Sequence, residues 1–332
     1  MKTIKNTLDY EIYKSKSFDM YFKDNNVAVF DIETTGLYPR SDKIILSGIV
    51  SFSPESSTTC VQYFADSMGD EKQVISKTVN TLSNADLIIT YNGASFDMPF
   101  LQTRAKKYNI AVDRIDAVHL DIYNLVRYYS EIKKLIGSLK QKNLEQYMGV
   151  SDKRSDKISG AQSVFMYDEY LRTRNKDLER DILLHNNDDI IQLAKLIPVI
   201  EKTDFHRAIS SVGFLAGDYV INSVEIASSA VNISASHLKE PFDYISFPTD
   251  EQPCTILAAS KSNRIDISIP TEIPAKGVHV IDAAKLLSAV SLEKLKKYPA
   301  FEAGYLIVKN GGFVNHLETN LFAKEFLCNL YI

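Results

Sequence analysis

"NNVAVFDIETTGL", residues 25–37, sets the frame for the rest of this 332-residue chain. Its first half is short, β-branched and preceded by polar residues, which predicts a buried strand. Asp31 and Glu33 stand two apart on it, so their side chains point to the same face. Two carboxylates aimed together off the end of a buried strand repel one another unless a cation sits between them. Thr35 and Gly36 then supply a turn where the backbone can approach a ligand closely. Taken alone, the pair could equally be ordinary strand-end acids.

Outward from this strand the pattern alternates. "IILSGIVSF" (44–52) and "TCVQYFA" (59–65) read as strands joined through "SPESS" (53–57) in a hairpin. "DEKQVISKTVNTLS" (70–83) has helical spacing and an acidic first turn. "ADLIITY" (85–91) is a further strand and "DMPFLQTRAKKYN" (97–109) a further helix. "AVHLDIY" (117–123) closes the strand series, and from there to about Thr203 the apolar spacing is helical. Strands alternating with helices, opened by a hairpin, predict an α/β layer structure with a mixed sheet flanked by helices. From about residue 212 the runs become short: "YVINSVEI", "CTILAAS", "RIDISIP" and "GVHVIDA", with "SKSN" as a hairpin turn. A strand, a glycine turn and a closing helix follow in residues 301–327. This texture predicts a second, smaller β-rich α+β domain, with domains 1–204 and 205–332.

Bulk properties narrow the function classes. The amino terminus is charged throughout and lacks an apolar run, so it reads as neither signal peptide nor anchor. No later stretch approaches the roughly 20 apolar residues that span a bilayer. Cys60, Cys254 and Cys328 are odd in number and far apart, which suits a reducing compartment, the cytoplasm by default, and packing as small apolar residues. Net charge is −4, which argues against a protein coated in positive charge for non-specific nucleic-acid binding. Residues 101–160 nevertheless hold twelve Lys and Arg against seven Asp and Glu, a net of +5. That segment could hold a polyanion or simply present a solvated helix face. Residues 205–332 net −2 and show no basic surface.

Two further acidic clusters complete the pattern. In "ITYNGASFDMPFL" a strand ends in a tight turn at Tyr91-Asn92-Gly93, and Asp97 starts the next helix, where it could also serve only as a cap. In "LLHNNDDIIQL" (183–193), taking about 100° per residue, Asp189 falls roughly 60° and His185 roughly 100° from the apolar stripe, on the same flank. Asp188 falls roughly 160° away and is expected to face water. His185 and Asp189, one turn apart, are neighbours. Asp31, Glu33, Asp97 and Asp189 thus form an oxygen-only donor set for Mg²⁺ or Mn²⁺ rather than zinc. Four carboxylates can hold two ions about 3.5–4 Å apart, the arrangement for in-line displacement at phosphorus. A histidine beside them could take a proton from the attacking water.

The order DxExTG, YNGxxFD and (Y/H)xxxD resembles the three exonuclease motifs of the DEDD superfamily of 3′→5′ exonucleases. The histidine, the x₃ spacing and the intervening "HLDIYNLVRYY", "GSLKQKNLEQYMGV" and "DKISGAQSV" are similar to the bacterial YprB-like group. The resemblance covers about residues 20–203. It implies a ribonuclease H-like fold and a two-metal hydrolase that shortens single-stranded DNA or RNA from the 3′ end. It also implies metal ligation by Asp31, Glu33, Asp97 and Asp189, with His185 where a residue orients or deprotonates water. Thr34, Thr35, Leu37 and Asn92 match positions lining the terminal nucleotide, Leu37 as wedge. One departure stands out: histidine occupies the spacing that the family gives to tyrosine, and the longer spacing would need an acid at Ile190. His119, Asp121, Lys140 and Lys142 rank lower, as structural or solvated residues. The alternative reading is a catalytically silent nuclease-fold module that binds nucleic-acid ends or a protein partner. A polymerase proofreading subunit is a third, although no polymerase-like region follows.

Overall fold

The computed structural model describes residues 1–150, 160–227 and 229–330. Contacts divide the chain into two compact units, Met1–Asp19 with Lys23–Thr203 and Met20–Phe22 with Asp204–Ile332. In order, the chain runs through β1 (Lys2–Thr7), α1 (Lys16–Phe22, whose last three residues group with the second unit), β2 (Val27–Thr34), β3 (Ile44–Ser53) and β4 (Ser56–Phe64). It continues through α2 (Glu71–Leu82), β5 (Leu87–Thr90), α3 (Asp97–Lys107), β6 (Val118–Asp121) and α4 (Ile122–Tyr129). Among the described residues four more α-helices follow, α5 (Ile132–Ile136), α6 (Gln141–Met148), α7 (Gly160–Thr173) and α8 (Lys176–Leu196), then a 3₁₀ turn at Ile197–Lys202.

The strand around Asp31, β2, lies inside a six-stranded mixed sheet of order β1-β4-β3-β2-β5-β6. β2, β3 and β4 form an antiparallel meander, whereas β5 and β6 run parallel to β2. The change of direction follows from the connections. A short loop returns β3 to β4, while α2 carries the chain across the sheet to the far side of β2. The ribonuclease H-like mixed α/β sheet expected from the motifs is therefore present. β1 and α1 formed no part of that expectation. β1 is an exposed edge strand of polar residues that pairs antiparallel with β4, and edge strands of that composition carry no hydrophobic periodicity to read.

β2 and β5 pair only over Val27–Val29 and Leu87–Ile89. Beyond them the strands part, and a crevice opens at their carboxyl ends, where open α/β sheets place ligands. On one flank, α2 and α3 are joined by a buried ion pair. Arg104 donates to both oxygens of Glu71 at 2.7 and 2.6 Å, and Glu71 also accepts from Ile44 N at 3.0 Å and from Tyr108 OH at 2.6 Å.

The second unit contains α9 (Phe205–Val212) and a six-stranded antiparallel sheet of order β10-β11-β12-β9-β8-β7. Its strands are β7 (Phe214–Ala216), β8 (Tyr219–Ile226), β9 (Ala230–His237), β10 (Tyr244–Ser246), β11 (Thr255–Ala259) and β12 (Arg264–Pro270). β9 and β12 alternate buried and part-exposed positions, so Ile233, Ala235, Ile265 and Ile267 build one core face. A smaller sheet follows: β13 (Glu272–Ala275), β14 (Val278–Asp282), β15 (Phe301–Glu302), β16 (Tyr305–Asn310) and β17 (Phe313–Val314). α10 (Ala289–Leu295) and α11 (His316–Cys328) accompany it. Tyr21 belongs to this unit, its hydroxyl 2.8 Å from His206 Nδ1 and 3.0 Å from Asn320 Nδ2. Cys60 and Cys254 are buried as expected, but Cys328 is exposed at the last turn of α11. Among the described residues no helix is long and apolar enough to cross a membrane.

Candidate active site

Three elements bring the acidic clusters together. β2 presents Asp31 and Glu33 from alternate positions on one face. After β5 the chain turns through Asn92, whose φ of 63° is left-handed, and through Gly93, where a Cβ would meet Thr90 at 2.5 Å. That turn delivers Asp97 as the first residue of α3. Asp97 does not cap its helix from the preceding position. Instead its Oδ1 accepts the Ile32 N–H at 3.0 Å and bridges to β2 where the two strands have parted. α8 supplies the third group. His185 Nε2 lies 3.5 Å from Glu33 Oε1 and 3.6 Å from Asp189 Oδ2. One ligand atom each from Glu33, His185 and Asp189 fall within 4.8 Å of one another.

Placing these carboxyl groups together shifts their protonation. Burial, then the charges of Asp97, Asp189 and Glu33, hold Asp31 well above the ordinary carboxylate range, while a hydrogen bond from Asn186 acts in the opposite direction. Asp97 is pushed up to about 7 by burial, with backbone hydrogen bonds opposing and the charge of Asp121 adding to the rise. A divalent cation fits this donor set. The oxygens are hard ligands, and a positive charge among them would offset the burial and the neighbouring charges that disfavour the ionised form of Asp31. Asp31, Glu33, Asp97 and Asp189 are the oxygen donors to hand, with His185 adding a nitrogen.

All nine residues singled out from the motifs line one cavity of about 770 Å³: Asp31, Glu33, Thr34, Thr35, Leu37, Asn92, Asp97, His185 and Asp189. Their states differ. Leu37 is 74 % exposed at the rim, as a residue free to meet a ligand would be. The Thr34 hydroxyl donates to Gly36 O at 2.6 Å, and the Thr35 hydroxyl accepts from Lys43 N at 2.9 Å, so both also hold their own loop. Gly36 is explained by its neighbour as well, since a Cβ there would meet the Asp42 carboxylate at 2.4 Å.

The helical-wheel reading of α8 needs correction at Asp188. It does not face water; it is buried, with 8 % exposure. The wheel treats a helix as having one packed side, yet α8 packs against β2, β3 and β4 and also against α6 and α7. The same reading missed Asn186, which is fully buried and donates to Asp31 Oδ2 at 2.8 Å. Lys140 and Lys142 are exposed yet line the cavity, together with Gln141 and the exposed Phe165. Gln141 Nε2 donates to Asp189 O at 3.0 Å and ties α6 to α8. From the sequence the two lysines rank among solvated residues, whereas amphipathic spacing gives no sign of Gln141 or Phe165, which join the motif acids through helix packing. His119 and Asp121 are structural. His119 Nε2 meets Thr90 Oγ1 at 2.8 Å, and Asp121 caps α4 while accepting from Asn92 N and Ala94 N. Part of "DKISGAQSV", residues 156–159, lies outside the described residues.

A family model described as RNase_H superfamily matches residues 28–200. The chain is similar to "Uncharacterized protein YprB" of Bacillus subtilis (strain 168), 26% identical over 181 residues that span 53% of this chain and 42% of that protein. It is also similar to the PolC-type DNA polymerase III of Mycoplasma pneumoniae, 30% identical over 109 residues, 27% of this chain and 8% of that protein. A DNA polymerase of Methanocaldococcus jannaschii is 34% identical over 115 residues, 32% of this chain and 7% of that protein. Among solved structures, a family B DNA polymerase from Pyrobaculum calidifontis aligns with 91% of this chain and 45% of that chain, at 16% identity and a TM-score of 0.44. The chain spans less than half the length of these curated relatives.

Proposed function

The chain belongs to the RNase_H superfamily, and on that premise we propose that it is a metal-dependent 3′→5′ exonuclease acting on single-stranded ends of DNA or RNA. One observation carries the reading. Carboxylates from β2, α3 and α8 meet in a single cavity, close enough that the others raise the protonation range of Asp31. The similarity to polymerases supports a nuclease role.

In this reading Asp31, Glu33, Asp97 and Asp189 hold two divalent cations, Mg²⁺ or Mn²⁺. When bound, such ions lower the pKa of water and neutralise charge developing on the phosphate. The chain does the rest. His185, between Glu33 and Asp189, orients the attacking water and accepts its proton. The water oxygen bonds to phosphorus, the bond to the 3′ oxygen of the preceding nucleotide breaks, and that oxygen takes a proton. A 5′-mononucleotide leaves. Leu37 and Phe165, 74 % and 75 % exposed on the cavity rim, offer apolar surfaces to the terminal bases. Lys140 and Lys142 face the phosphates that follow.

The test is a 5′-labelled oligonucleotide with Mn²⁺ or Mg²⁺. Wild type shortens it stepwise from the 3′ end and Asp31→Asn does not. If the wild-type chain yields no metal-dependent shortening on single-stranded, duplex or recessed-end DNA or RNA, the catalytic reading is wrong.

A further inference from the structure

Asp31, Gly48 and Gln62 lie in one row across three strands. β2 pairs with β3 at Asp31 and Gly48, and β3 pairs with β4 at Gly48 and Gln62. Directly paired residues project to the same face of a sheet, so Asp31 and Gln62 rise on either side of a position that has no side chain. The amide of Asn186, from α8, fills that gap. Its Nδ2 donates to Asp31 Oδ2 at 2.8 Å, and its Oδ1 accepts from Gln62 Nε2 at 2.9 Å.

Two details show that this seat is specific. A Cβ on Gly48 would stand 2.1 Å from Asn186 Oδ1 and 2.9 Å from its Cγ, so any other residue there expels the amide. Gln62 Nε2 also donates to Leu183 O at 2.9 Å. Its nitrogen, committed as a donor twice, forces the oxygen of Asn186 toward Gln62 and its nitrogen toward Asp31. The chain Leu183 O–Gln62–Asn186–Asp31 therefore has one polarity.

We propose that Asn186 is a positioning residue, oriented by Gln62 across the gap at Gly48, that fixes one carboxylate oxygen of Asp31 and leaves the other for a divalent cation. The inference rests on the reading of Asp31 as a cation ligand given above. Loss of a hydrogen-bonding partner behind a metal ligand typically costs about 10–100-fold in metal affinity.

Mn²⁺ binding to the full chain, followed by electron paramagnetic resonance, tests it alongside melting temperature. Two variants leave every proposed ligand intact: Asn186→Leu, and Gly48→Ala, which displaces the amide without altering it. Gly48 has no left-handed backbone to preserve. Alanine in a strand is no worse than glycine for the backbone. Both variants should bind Mn²⁺ about 10–100-fold more weakly than wild type. The Mn²⁺ concentration for half-maximal activity should rise in step, while kcat at saturating Mn²⁺ is largely recovered; a general loss of structure would lower kcat throughout. If Asn186→Leu does not fold, Gln62→Met takes its place, because it frees the Asn186 amide to turn. Wild-type affinity in a folded variant overturns the role of Asn186. A wild-type chain that binds no Mn²⁺ overturns the cation reading of Asp31 itself, and this inference with it.

Discussion

Without a divalent cation, Asp97 should weaken the fold it belongs to, and replacing it by asparagine should stabilise the protein. The carboxyl is buried and its pKa rises from 3.8 to about 7. A group whose folded pKa lies above its unfolded value binds its proton more tightly in the native state. Native stability therefore falls as pH rises through that window, and the full penalty is present above it. A shift of about three units at about 1.36 kcal/mol each sets a ceiling of about 4 kcal/mol. The asparagine would keep an Oδ1 acceptor for the Ile32 N–H, so the bridge to β2 is preserved while the charge is gone. In chelator at pH 8, Asp97→Asn should melt several degrees above wild type, given about 2–4 °C per kcal/mol for a domain of this size. At pH 5, still about one unit above the unfolded value, about 1.7 kcal/mol of the penalty remains, so the gap should shrink by more than half; it closes only below about pH 3. Mn²⁺ at 100 times its Kd should narrow the gap, because it stabilises the native wild type by about 2.7 kcal/mol and the variant has lost a ligand. Thermal melts at the two pH values, with chelator and with Mn²⁺, decide it. An Asp97→Asn protein that is less stable than wild type by the same margin at both pH values would refute the reasoning.

Asp189→Asn should abolish degradation of a labelled oligonucleotide. Asp188→Asn, outside the cavity but buried, should keep the wild-type kcat and lose about 1–3 kcal/mol of stability in urea unfolding. Arg104→Met leaves the buried Glu71 carboxylate without its two guanidinium bonds; urea unfolding should show a loss of about 3–5 kcal/mol, and a loss under about 1 kcal/mol would contradict the burial of the pair. Phe165→Ala should weaken single-stranded oligonucleotide binding by about 1–3 kcal/mol in fluorescence anisotropy if its ring stacks on a base, with melting temperature unchanged because the ring is exposed.

The central strands were legible because β2, β3 and β5 are largely apolar runs bounded by turn residues, and burial on both faces leaves no polar alternation to confuse the reading. The motif residues were legible because strand parity alone puts Asp31 and Glu33 on one face. The rest depended on packing across the chain. Nothing local in "KTIKNT" announces an edge strand that pairs with β4. Asp188 looked solvated because a wheel drawn from α8 alone cannot include α6 and α7. Gly48 and Gln62 looked like ordinary members of a hairpin, since their meaning lies in a cross-strand row with Asp31 that only the register creates.

The same register explains why the spacing of the third motif matters more than the identity of its first residue. Around α8, at about 100° per residue, Asp189 stands about 40° and Asn186 about 100° from His185. These three residues occupy one arc, and their partners on β2 are Glu33 for His185 and Asp31 for Asn186. An acid one residue later would stand about 140° from His185, beyond Asn186. That position is held by Ile190, which is fully buried. A carboxylate there would enter the packed side of α8 rather than the cavity. The helix can therefore accept histidine in place of a tyrosine at position 185, but it cannot move the acid from position 189 without taking it away from the two carboxylates on β2.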